Sequence, residues 1–75
     1  MTTATETEWH TRVKNLLKSE LKRKGVSYAD LVKKMEKIGI HEDHRNIANK
    51  ISRGGFTAIF LVQCLDAIET RELRL

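Results

Sequence analysis

The sequence predicts an all-α fold, a compact four-helix domain with a short C-terminal tail. Three observations predict it. The 75 residues include no proline, so no position forbids a helix interior. Apolar residues recur at helical spacing in four successive runs. The breaks between runs hold glycines and residues suited to N-caps. A chain this short makes one domain, with a core worth roughly 3–5 kcal/mol of net stability.

Residues 1–7 (MTTATET) are small and polar, with nothing to bury, and are expected to be disordered. The folded domain is expected over 8–70. Its first helix runs from Glu8 to Lys24, with Trp9, Val13, Leu16, Leu17 and Leu21 on one face. Lys14, Lys18 and Lys22 form a row beside that face, and Gly25 suits the left-handed position that ends a helix. Ser27 is the N-cap of the second helix, with Asp30 three residues on as in a capping box. Tyr28, Leu31, Val32, Met35 and Ile38 form its inner line, Lys33 and Lys37 point away, and Gly39 ends it.

Asp43 is the best N-cap for a third helix, with Ile47, Ala48 and Ile51 inward. Arg45, Asn46, Asn49 and Arg53 fall opposite, and Gly54-Gly55 stops the helix. The fourth helix starts at Thr57, with Phe56 placed to pack on Leu61 as a hydrophobic staple. Ile59, Phe60, Leu61, Val62, Cys64, Leu65 and Ile68 surround its axis. A helix apolar all round belongs in the middle of a core or against a partner, so the fourth is expected to be the hub on which the other three pack. The tail, residues 71–75, alternates polar and apolar residues and suits either a strand-like arm or a folded-back cover.

Composition excludes several classes. The single cysteine, Cys64, cannot form an internal disulfide and lies in an apolar helix, as a buried small hydrophobe would. A lone thiol with no signal peptide fits a reducing cytoplasm, the expected location. The longest apolar stretch, Ala58 to Val62, falls far short of the ~20 residues that span a bilayer. His41 and His44 are spaced i, i+3, but only Glu42 and Asp43 lie near as further ligands, so no metal is expected. No nucleophile has a base placed beside it, and no phosphate loop or paired-carboxylate motif occurs. Neither enzymatic activity nor a cofactor or small-molecule substrate is expected.

The net charge of +4 is unevenly spread. Residues 12–53 carry twelve Lys/Arg against five Asp/Glu, and both flanks are slightly acidic. A concentrated basic segment attracts polyanions across about a Debye length, ~8–10 Å in physiological salt. It equally serves as a solvated surface that keeps a small domain soluble.

The order of helices, with a Gly39-Ile40 turn between the second and third, resembles the helix-turn-helix domains of the lambda-repressor and Cro class, often called XRE-type. Ser27-Tyr28-Ala29-Asp30-Leu31-Val32 is similar to that family's start of helix two, and Ile51-Ser52-Arg53-Gly54 to the end of its recognition helix. The resemblance runs from Leu17 to Ile68. The chain departs from the pattern between Leu31 and Gly39, where it is longer by about one helical turn, and between Gly39 and Gly54, where it is longer by about three residues; the fifth helix common in the class is missing or replaced by the tail. It looks closer still to a small bacterial domain family of unknown function. That likeness rests on Gly25-Val26-Ser27-Tyr28-Ala29-Asp30-Leu31 and on Asn49-Lys50-Ile51-Ser52-Arg53-Gly54-Gly55-Phe56. The resemblance implies a lambda-repressor-like fold and sequence-specific binding of double-stranded DNA by a transcriptional regulator.

The residue types agree. A helix fits the major groove, where arginine matches guanine and asparagine matches adenine. The third helix offers Arg45, Asn46 and Asn49 for base edges, and asparagine is otherwise a poor choice on an exposed helix. Ordinary polar surface is the competing reading. For phosphates the candidates are Ser27 and Tyr28 at a helix N-terminus, then Lys33, Lys50, Arg53 and Gly54. For any single lysine a solvated surface is the simpler reading, and for Tyr28 the alternative is packing on the core. One module buries only ~600–1,000 Å² on DNA, so a homodimer is expected, through helix four and the tail. The rival expectation is a protein-interaction module, an adaptor or toxin-neutralising partner that keeps the fold without the DNA.

Overall fold

The computed structural model describes residues 6–75. It contains four helices and, among the described residues, no strand: α1 (Glu6–Lys24), α2 (Tyr28–Lys37), α3 (His44–Arg53) and α4 (Ala58–Ala67). Of the segment expected to be disordered, residues 1–5 lie outside the described residues. Glu6 and Thr7 belong to α1.

Local chemistry sets the boundaries. Ser27 Oγ accepts from the Asp30 amide at 3.1 Å, and the Asp30 carboxylate accepts from the Ser27 amide at 3.2 Å, which completes the capping box. Asp43 caps α3 through the Asn46 amide at 2.7 Å, and Thr57 caps α4 through the Phe60 amide at 3.1 Å. Gly25 and Gly39 follow α1 and α2 in left-handed conformation. In each case the next amide reaches back to the carbonyl five residues earlier, Val26 to Leu21 and Ile40 to Met35.

Each helix contributes a line of buried residues at i, i+4 spacing. Leu17 and Leu21, Leu31 and Met35, Ile47 and Ile51, and Phe60, Cys64 and Ile68 make one core. Burying each large side chain is worth about 1.5–3 kcal/mol before the entropy of ordering is counted.

The packing order corrects the expected hub. α1 packs on α3, and α2 packs on both α3 and α4, so α2 and α3 are central and α4 is at an edge. Apolarity around the α4 axis does not mean burial around it. Ile59 is 71% exposed and Val62 63% exposed, on the side away from Phe60 and Cys64. Phe56 makes its ring contact with Phe60, at 5.5 Å between centroids.

Two further inner-face assignments change. Ile38 is the C-cap of α2 and is exposed; Ile40, beyond the turn, packs on the core instead. The inner line of α1 divides. Leu17 and Leu21 enter the core, whereas Trp9, Val13 and Leu16 line a groove of about 500 Å³ with Leu75. Trp9 is 48% exposed, with the Arg12 guanidinium 5.4 Å from its ring. The tail therefore takes the folded-back course beside α1, and Lys24 Nζ donates to the Glu69 carbonyl at 3.5 Å.

Candidate nucleic-acid interface

The placement of α3 begins at its end. Gly54 is the left-handed C-cap (φ 71°), and its amide donates to the Ile51 carbonyl at 3.1 Å. A Cβ here would collide with the backbone carbonyl of His10, whose carbon would lie only 2.7 Å away. The end of α3 thus rests on the backbone of α1, which only glycine permits. Ile47 and Ile51 hold the rest of α3 against the core.

With that side anchored, Arg45, Asn46, Asn49 and Arg53 are all exposed on the outer side. Their side chains make no hydrogen bond or ion pair with another described residue. His44, at the start of α3, is exposed and sits edge-on to Tyr28, with ring centroids 6.1 Å apart. That contact brings the N-termini of α2 and α3 side by side. The first amides of both helices, Tyr28 and Ala29, His44 and Arg45, precede any helical acceptor and lend this end positive potential.

The expected phosphate residues divide. Ser27 and Tyr28 lie at this end of α2, Ser27 exposed and Tyr28 half-buried against the core. Ser27 is committed to the cap: its oxygen accepts from the Asp30 amide, and its amide and hydroxyl both support the Asp30 carboxylate. Lys33 is exposed on α2, and Arg53 on α3. Lys50 is committed elsewhere. Its ammonium pairs with Glu42 at 2.6 Å and lies 5.0 Å from the Phe60 ring centroid. Gly54 is buried with its amide bonded, so it offers no donor to a phosphate.

Two further basic residues lie near this end. Lys18 and Lys22 of α1 line a shallow cleft of about 290 Å³ with Leu21, Val26, Ser27 and Tyr28. Their i, i+4 spacing was visible as a lysine row, but its proximity to the start of α2 depends on the fold.

The acids near this end are tied into the structure. The Asp30 carboxyl is held below the ordinary carboxylate value first by the Ser27 amide, then by the Ser27 hydroxyl and by the charges of Lys33 and Lys34. Glu42 is paired with Lys50, and Asp43 caps α3. Among the described residues no group of three or more His, Cys, Asp or Glu is placed to share a metal, and His41 lies 4.0 Å from the Glu36 carboxylate. The Cys64 thiol is pushed up to about 12, chiefly by burial and further by Glu42, against a smaller opposing effect of Lys50. It is no nucleophile at neutral pH. No described helix is long and apolar enough to cross a membrane.

No curated protein and no solved structure matches the chain. One family does, over residues 9–73, from the exposed Trp9 through all four helices to the folded-back tail. That span takes in both the Gly54 seat on α1 and the paired starts of α2 and α3, and the chain belongs to this family, described as Domain of unknown function (DUF6471).

Proposed function

We propose that the chain binds double-stranded DNA sequence-specifically, as a small transcriptional regulator of lambda-repressor-like (XRE-type) helix-turn-helix arrangement, with α3 in the major groove. The observation that carries the reading is the outer side of α3. Arg45, Asn46 and Asn49 stand there exposed and without partners among the described residues, and these side-chain types match guanine and adenine edges. Tyr28, Lys33 and Arg53 supply phosphate contacts in this reading, joined by Lys18 and Lys22 and by the first amides of α2 that follow Ser27.

The test is duplex binding against salt concentration. A clear fall in log affinity with log salt is expected, close to −0.9 per phosphate neutralised by a lysine or arginine, hence about −3.6 for Lys18, Lys22, Lys33 and Arg53 together. Arg45→Ala with Asn49→Ala is expected to abolish sequence preference while leaving the thermal melt unchanged. No binding at low salt, or a flat salt slope, overturns the proposal.

A protein-interaction module is the second reading. The groove of Trp9, Val13, Leu16 and Leu75 favours it, since Leu75 is 90% exposed beside a half-exposed tryptophan. Under that reading the Arg45 and Asn49 substitutions leave partner binding intact, whereas Trp9→Ala removes it.

A further inference from the structure

We propose that the outer face of α4 is the contact surface for a second copy of this chain, two α4 helices lying antiparallel across a twofold axis at Val62. Ile59 and Val62 are 71% and 63% exposed, one turn apart, with half-buried Leu65 a further turn along. The opposite line of the helix, Phe60, Cys64 and Ile68, is already filled. From Gly54 to Thr70 the chain itself carries no lysine or arginine.

The identity of the occupant follows from the pattern. The apolar positions are symmetric about Val62, with Ile59 three residues before it and Leu65 three after. Ala58 and Asp66 flank them symmetrically again, each four residues away. An antiparallel pair centred on Val62 therefore sets Ile59 against Leu65 of the second copy. It also sets Asp66 beside the N-terminus of the other α4, at small Ala58. There the first amides of the helix have no helical acceptor and the dipole end is positive, so an exposed carboxylate is complementary to it. The exchange occurs twice, once at each end. Asp66 is exposed, held at 3.1 Å by Arg71. A partner of purely apolar chemistry would offer the Asp66–Arg71 pair no complementary charge.

A single pair of ten-residue helices is a small interface. The dimer is expected to be weak, with a dissociation constant in about the micromolar to sub-millimolar range. Neither experiment below contains DNA, so failure of the DNA reading leaves this inference standing, and the reverse.

The first experiment is oxidative cross-linking of Val62→Cys. Only a residue at the axis meets its own copy, so Val62→Cys is expected to form a covalent dimer. The wild type, with buried Cys64 alone, and Asn49→Cys, on the outer side of α3, are expected to remain monomeric. A dimer yield from Val62→Cys no higher than from Asn49→Cys overturns the proposal. The second is sedimentation equilibrium of the wild type and Val62→Glu. The wild type is expected to shift toward dimer with concentration and Val62→Glu to stay monomeric, with unchanged helicity by circular dichroism. A wild type that is monomeric at sub-millimolar concentration overturns it.

Discussion

Glu69 stands at φ 58°, the one non-glycine residue with positive φ among those described. It fills after α4 the position that Gly25 and Gly39 fill after α1 and α2, and the Thr70 amide completes the motif on Leu65 at 2.9 Å. A side chain in that conformation costs roughly 1–2 kcal/mol, part of which glycine returns as chain entropy. Glu69→Gly is expected to raise stability by about 0.5–1 kcal/mol, read as a higher thermal midpoint. Gly54→Ala is the opposite case, since it adds a collision with the His10 backbone to the same conformational strain. It is expected to cost at least about 2 kcal/mol in urea melts. Cys64 titrates with a definite sign. Its thiol keeps its proton in the fold up to about 12, whereas the unfolded chain loses it near 9.0. Below pH 9 both states hold the proton and there is no effect. Above it the unfolded state ionises first, so stability falls as pH rises. A thiol reagent is expected to leave the native protein unmodified at pH 8 and to label it fully in urea.

At the scale of elements, what was legible in the sequence was what is local. Ser27, Asp43 and Thr57 cap the helices they were expected to cap, because a cap depends on residues within three positions. The i, i+4 pairs of the core were likewise visible in the periodicity. The engagement of Lys50 and Gly54 within the fold was not legible, because their neighbours, Glu42, Phe60 and His10, come from a loop and from other helices. Lys18 and Lys22 were seen as a row but not as neighbours of Ser27, since tertiary packing alone joins α1 to the start of α2. This division predicts distinct phenotypes on duplex DNA. Arg45→Ala is expected to cost about 1–3 kcal/mol on the preferred site and to relax specificity there. Lys22→Ala is expected to weaken all sequences alike and to reduce the salt slope by about 1.

For the whole molecule, the packing order α1–α3–α2–α4 sets where stability resides. The hub was misassigned because periodicity shows which faces are apolar but not which neighbour covers them, and α4 has more apolar faces than neighbours. Helices α2 and α3, each packed on two others, carry the fully buried Leu31, Met35, Ile47 and Ile51. Amide hydrogen exchange is expected to be slowest at these four positions and fastest in the first turns of α1 around Trp9, which lie outside the core. Comparable protection at both places would contradict this order.

The seat of Gly54 on His10 separates two kinds of freedom in one ten-residue helix. The side chains at positions 45, 46 and 49 make no hydrogen bond or ion pair with another described residue, so a library there that leaves out proline and glycine is expected to retain the scaffold. Position 54 has no such latitude. Under the proposed DNA binding, a selection for new target sequences is expected to return diverse outer residues on an unvarying glycine.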